Sequence, residues 1–254
     1  MRSCIFVSYL ALLTLLAPPA VPGAVAQGTA AAAVADPDSL YLERARAPSA
    51  LAAEQIWATR VTADGGDFEA AWKLARARYW LGTNGPGTGD VKKRWLESGI
   101  AAGRLAMTAR PNAVEGHFWM AANMGALADA HGLRQGIRYR APIKAALEKA
   151  LALEPSYLDG SPDRALGRWY FKVPELFGGD VRRSEVHLRK ALTYKPDSII
   201  SLLFLAETLI ELDKTAEART TLQAALDATP DPEWAPEDAR FKAQARTLLA
   251  SLKP

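Results

Sequence analysis

The sequence predicts an all-α fold built as an array of repeated helical hairpins, and three observations carry that expectation. The first is a recurring phrase: a small or apolar residue, Leu or Gly four on, Ala three further, Pro five beyond. It reads Ile143, Leu147, Ala150, Pro155, then Ser184, Leu188, Ala191, Pro196, then Ala218, Leu222, Ala225, Pro230, and more weakly Gly99, Gly103, Ala106, Pro111. Steps of four and three place these residues on one helix face. Proline lacks an N–H and disfavours the α region in the residue before it, so it closes each helix. The second observation is that no stretch alternates with period two between hairpin turns, so no sheet is expected. The third is size: 254 residues, 49% of them hydrophobic, suffice for the core of one or two domains.

Taken in order, residues 1–26 read as a secretory signal peptide. Arg2 supplies the positive start, Ile5 to Ala17 is an apolar run too short to span a bilayer, and Pro18, Pro19, Pro22 and Gly23 break it. Ala24-Val25-Ala26 is the small-x-small cleavage site, so the mature chain is expected to start near Gln27, exported, soluble and periplasmic where there are two membranes. The single cysteine, Cys4, stands before the apolar run, where it does not serve lipidation. Its loss with the leader removes thiol, disulfide and zinc–sulfur chemistry. Residues 27–48 read as a flexible N-terminal segment, Ala-rich to Asp38, with a short helix at Leu40–Arg46. Residues 49–254 form the helical repeat domain, with no further apolar run of membrane-spanning length.

Within that domain each helix has a start and a stop. Ser49 caps a helix to Thr62, which Gly65-Gly66 ends, and Asp67 caps the next to Gly82. Thr83 to Gly89 is a loop, and Asp90 caps a helix to Arg110. Asn112 and Glu115 have the spacing of a capping box, opening a helix to His131; Gly132 and Gly136 interrupt before helix Tyr139–Glu154, with Pro142 in its first turn. Ser161-Pro162 starts a helix that stops before Pro174, and Asp180 caps Val181–Lys195 after the Gly178-Gly179 turn. Asp197 caps Ile199–Leu212, Thr215 caps Ala216–Thr229, and Pro236 opens the last helix, to Leu252.

The unit from Ile199 to Pro230, with Leu202, Leu205, Ala206 and Leu209 on its first helix, resembles the tetratricopeptide repeat, two antiparallel helices in about 34 residues. Its closing prolines lie 34, 41 and 44 residues apart, counting back from Pro230. The longer units are expected to carry insertions at Phe171–Asp180, Gly132–Arg138 and Thr83–Gly89. About four units result, with Ser49–Thr62 and Pro236–Leu252 as caps. AWKLARARYWLG, GHFWMAANMG, DRALGRWYFKVPELFGGD and HLRKAL, between Asp67 and Pro230, resemble the T-component family of periplasmic TRAP transporters. The WKLARA and LGRW phrases are also similar to the regulators of microtubule dynamics, a relation of fold given the leader. The T-components compared are lipoproteins, a feature this chain lacks the cysteine for.

Composition and motifs narrow the function. A net charge of +3, or +2 once Arg2 is removed, with acids and bases interspersed, gives no electrostatic case for nucleic acid. His117, His131 and His187 are scattered without metal-ligand spacing, and His187 is expected to be exposed. The loop GPGTGDVKK fails the Walker spacing, and no Gly-x-Ser-x-Gly elbow is present. Neither enzyme nor cofactor is therefore expected. In tetratricopeptide arrays the first helices line a concave face. That resemblance selects Trp72, Arg76 and Tyr79 in unit one, Trp119 and Asn123 in unit two, and Arg164, Arg168, Phe171 and Lys172 in unit three as partner-binding residues, with Leu203, Glu207 and Ile210 in unit four. Arginines beside aromatics suit carboxylates with apolar surface. The expectation is a binding protein that works with a periplasmic substrate-binding protein, or an envelope scaffold that grips peptide segments. A small amphipathic ligand is a further expectation, and self-association stays open.

Overall fold

A computed structural model describes residues 35–252; the expected signal peptide, 1–26, and its cleavage site lie outside them. The helices are α1 (Pro37–Leu42), α2 (Ala47–Ala63), α3 (Phe68–Asn84), α4 (Gly89–Ala109), α5 (Val114–Ala130), α6 (Leu133–Leu153), α7 (Tyr157–Lys172), α8 (Val181–Tyr194), α9 (Ile199–Glu211), α10 (Thr215–Asp227) and α11 (Ala235–Ser251). One turn of 3-10 helix, Glu175–Phe177, precedes α8, and there is no strand among the described residues.

The hairpins α3/α4, α5/α6, α7/α8 and α9/α10 are the four repeat units, each packed against the next. First helices also touch in series, α3 to α5, α5 to α7, α7 to α9 and α9 to α11, so they form one wall. The recurring phrase faces inward: Ala106, Ala150, Leu188, Ala191, Ala218, Leu222 and Ala225 are fully buried. Small residues stand where helices cross closely. A Cβ added at Gly167 of α7 would lie 2.7 Å from Leu188 Cγ of α8.

The core divides in two. From Tyr41 to Tyr170 it is one large cluster that includes Trp57, Trp80, Trp119 and Trp169, with Trp72, Trp95 and Trp234 packed against it, and a small satellite of Phe68, Ala71 and Ala106. From α8 onward it is aliphatic, built on Leu188, Leu202, Leu205, Leu209 and Leu222.

Several local expectations are corrected. Ser49 lies inside α2, which begins at Ala47 with Pro48 in its first turn; the Ser49 hydroxyl donates to Glu43 Oε2 (3.3 Å). Asp67 and Asp180 do cap, accepting from Ala70 N and from the amides of Arg182 and Arg183. Asp90 lies in the first turn of α4, and Ala113, with no side-chain acceptor, is the N-cap of α5, so the Asn112–Glu115 box does not form. Ser198 rather than Asp197 caps α9, and Lys214 precedes α10 with Thr215 already inside it. The Gly132–Arg138 insertion is helical: Gly132 turns the chain at φ 82, and α6 runs 21 residues through Pro142. Unit two is long because its helices are long. Unit one keeps a short loop, 85–88, within the expected Thr83–Gly89, and unit three carries the longer connection, 173–180, with the 3-10 turn inside it. The start at Ser161-Pro162 corresponds to a break inside α7, where Leu158, Asp159 and Gly160 are left-handed and the Ser161 hydroxyl donates to Leu158 O (2.7 Å).

The largest departure is at the N-terminus. From Asp36 on, the segment expected to be flexible is ordered: Asp36 caps α1 through the amides of Asp38 and Ser39, Tyr41 is 3% exposed and Arg44 is 1% exposed.

Candidate functional site

Unit one presents Trp72, Arg76 and Tyr79, all half-buried on α3. The Arg76 guanidinium lies 5.1 Å from the Trp72 ring and 4.1 Å from the Tyr41 ring, with Asp38 at 3.6 Å. Tyr79 stacks at a tilt on Trp119, 5.8 Å between centroids. Trp119 and Asn123 are buried in the seam between units. The Trp119 indole donates to Tyr157 Oη (3.1 Å), and Asn123 Nδ2 donates to Ala75 O (3.0 Å) and Trp119 O (2.8 Å), tying α5 to α3. Gly99 lets α4 reach this amide, because a Cβ there would sit 2.1 Å from Asn123 Oδ1.

Arg164 donates to Ser161 Oγ, and burial pushes its guanidinium down to about 10, still cationic at neutral pH. Burial also raises the Tyr79 phenol, an effect that the charge of Arg164 partly offsets. Arg168 ion-pairs with Glu207 of α9, and its guanidinium lies 4.3 Å from the Phe204 ring and 5.3 Å from the Phe171 ring. Lys172 is exposed. The predicted residues therefore form two groups: an aromatic one around Trp72, Arg76, Tyr79 and Trp119, and a charged one around Arg168, Phe171 and Glu207. Leu203, expected on the wall, is 1% exposed. Beside the second group a cleft of about 440 Å³ opens between α9 and α11, lined in part by Glu207, Arg240, Gln244 and Leu248. His187, expected in solvent, instead bonds Asp163 through Nδ1 (2.8 Å) and stacks on Tyr170.

The repeat register gave no sign of what covers the aromatic group. Asp38 Oδ2 accepts from Lys73 Nζ (2.6 Å), and Tyr41 packs against both Arg76 and Trp57. Burial pushes the Tyr41 hydroxyl up to about 12. Burial alone would lower Lys73, but its bonds to Asp38 and Glu69 raise it. Arg44 then reaches across to the far end of the chain. Its Nε and Nη2 donate to Glu237 (3.1 and 2.8 Å), Nη2 also bonds Glu233 O, and its guanidinium is 5.6 Å from the Trp234 ring. The Trp80 indole donates to Arg44 O (3.0 Å), and Arg240 donates to Asn84 Oδ1 (2.7 Å). The wall is thus closed by a latch between the turn after α1 and the start of α11. A signal for Arg44 was absent because its partners lie 189 and 193 residues away.

A family profile described as regulator of microtubule dynamics protein 1-3 matches residues 34–177, more than half of the 254 residues. The chain belongs to that family. The match agrees with the similarity carried by the WKLARA and LGRW phrases. A tetratricopeptide repeat profile matches residues 178–252. No curated protein matches the chain. Among solved structures, TTC0263, a thermophilic tetratricopeptide-repeat protein of Thermus thermophilus, is similar with a TM-score of 0.62 at 21% identity, over 84% of this chain and 97% of that one. MamA (41-end) of Desulfovibrio magneticus RS-1 is similar with a TM-score of 0.51 at 16% identity, over 77% of this chain and 97% of that one. At these identities the likeness establishes the fold: a helical-repeat protein of tetratricopeptide type. No helix among the described residues is long and apolar enough to cross a membrane.

Proposed function

We propose that the chain is a non-enzymatic interaction adaptor that holds a peptide segment of another protein on the wall formed by its first helices. The observation that carries this reading is the Arg168 group beside the open cleft: a half-buried arginine, flanked by Phe171 and Phe204, with a carboxylate already against it. That carboxylate, Glu207, marks the chemistry the arginine accepts, and an incoming acid takes its place. Aromatic and arginine anchors typically dominate such interfaces.

The test is calorimetric titration of synthetic amphipathic acidic peptides. Arg168→Ala weakens capture by about tenfold, roughly 1.4 kcal/mol. Arg183→Ala, on the exposed side of α8, leaves it unchanged. Equal binding by wild type and Arg168→Ala rejects the Arg168 group and its cleft as the site.

A second reading places the adaptor in the envelope beside a substrate-binding protein, as in TRAP T-components. Its support is the apolar leader with Ala24-Val25-Ala26 and the phrases GHFWMAANMG and DRALGRWYFKVPELFGGD. N-terminal sequencing of exported material then begins near Gln27 without lipid, and crosslinking recovers a substrate-binding protein. An uncleaved chain, or no such partner, removes this reading and leaves the adaptor role intact.

A further inference from the structure

The aromatic half of the wall is already occupied, and its occupant shows what fits there. Residues 36–44 lie on it as a short helix with its own cap: Asp36 accepts from Asp38 N (3.3 Å) and Ser39 N (3.0 Å), and the Ser39 hydroxyl donates to it (2.7 Å). Three side chains at steps of three grip the wall. Asp38 takes Lys73 and Arg76, the Tyr41 ring covers the Arg76 guanidinium, and Arg44 takes Glu237. Leu40 packs against the same core, while Asp36, Ser39, Leu42 and Glu43 face away, Leu42 61% exposed.

The fit is incomplete beneath Tyr41. Trp57 is 0% exposed, and its indole N–H has no acceptor. Arg76 Nε is likewise buried without one, and the Arg76 guanidinium lies 5.9 Å from the Trp57 ring. Buried donors are nearly always paired, and leaving one unpaired costs free energy. Two such donors side by side under one tenant point to an acceptor that the tenant does not supply.

Resting on the adaptor reading, we infer that residues 36–44 are an intramolecular stand-in for a partner segment. The partner's segment is a short helix with acid, aromatic and arginine at steps of three, and a further oxygen acceptor beside the aromatic. The stand-in competes with it, so apparent affinity falls by the fraction of molecules whose wall is open.

The experiment uses the full-length chain and a fluorescent peptide of residues 35–46, ADPDSLYLERAR, read by anisotropy. Wild type, its wall filled, binds weakly. Asp38→Lys sets a cation against Lys73 and Arg76, loosens the stand-in, and raises peptide affinity by about tenfold or more. Tyr41→Ala does the same where circular dichroism shows it folded. Arg76→Ala added to Asp38→Lys abolishes the gain. A folded Asp38→Lys chain that binds the peptide no better than wild type overturns the inference, as does an Arg76→Ala double variant that binds just as well. Either failure leaves the Arg168 measurement standing, because that group is not covered by residues 36–44. Loss of the Arg168 effect alongside a positive peptide result would instead reject the adaptor site at the cleft and keep the aromatic one.

Discussion

The two halves of the array use the same hairpin but different cores. Up to α7 the interior is rich in aromatic side chains, and all seven tryptophans belong to it or pack against it, Trp234 from beyond the repeats among them. From α8 on it is leucine and alanine. The matched profiles divide near the same place, the family profile ending at 177 and the tetratricopeptide profile starting at 178. The difference shows what large side chains demand. An indole needs room and a partner for its N–H. Trp80, Trp119 and Trp169 find theirs in Arg44 O, Tyr157 Oη and Arg140 O, each on a different segment. Aromatic packing therefore stitches distant segments together and calls for longer helices, 21 residues in α4 and α6 against 14 and 13 in α8 and α10. The aliphatic half needs only its neighbours.

The sharpest way to break this contrast is Trp57→Ala. Truncating this fully buried indole costs about 3–5 kcal/mol. In urea, tryptophan fluorescence, which reports the aromatic half, then collapses at lower denaturant than far-UV circular dichroism, which reports both halves. Coincident curves would show one cooperative core. Leu222→Ala, in the aliphatic half, costs about 2–5 kcal/mol. Its circular dichroism midpoint falls, while fluorescence moves little. If fluorescence follows, the halves are coupled.

Ala206→Leu sharpens the register within the second half. Ala206 is fully buried, and overpacking costs about 1–3 kcal/mol. The exposed Glu211→Ala on the same helix moves the thermal midpoint little. Equal shifts would show the wrong face assigned to α9. The smallest effect is at Lys195–Asp231, which joins α8 to the turn before α11. The Lys195 bond holds Asp231 below its usual 3.8, and the Asp231 bond holds Lys195 above its usual 10.5. The pair's contribution is therefore present between those two values. It is lost as pH falls through the Asp231 titration or rises through that of Lys195. Asp231→Asn costs about 1 kcal/mol or less at neutral pH, and the gap to wild type closes at both extremes. A gap that stays constant with pH would show that the charges do not matter there.

The aliphatic half was legible because each of its contacts is a short step in sequence: Ala218, Leu222 and Ala225 declare their face by spacing alone. The helix ends at prolines and the Asp67 and Asp180 caps were legible for the same reason. The Asn112–Glu115 box failed because spacing names a possible bond without fixing which residue adopts the cap conformation. The aromatic half was only partly legible. Trp72 and Trp119 occupy equivalent register positions, yet one is half-buried at the wall and the other is 3% exposed in a seam. The bulk of the neighbouring unit, rather than the helical period, decides that outcome. Arg44 and Tyr41 were invisible because their partners come from other helices.

The latch also sets a clock on synthesis. Repeat hairpins are local and can form as they leave the ribosome. Arg44 and Glu237 are 193 residues apart. At about 5–20 residues per second, Arg44 waits roughly 10–40 seconds for its carboxylate. Through that interval the nascent array has its hairpins but not its closure. The aromatic wall stands open at its far edge until α11 arrives, so closure waits on a helix made long after the segment it holds.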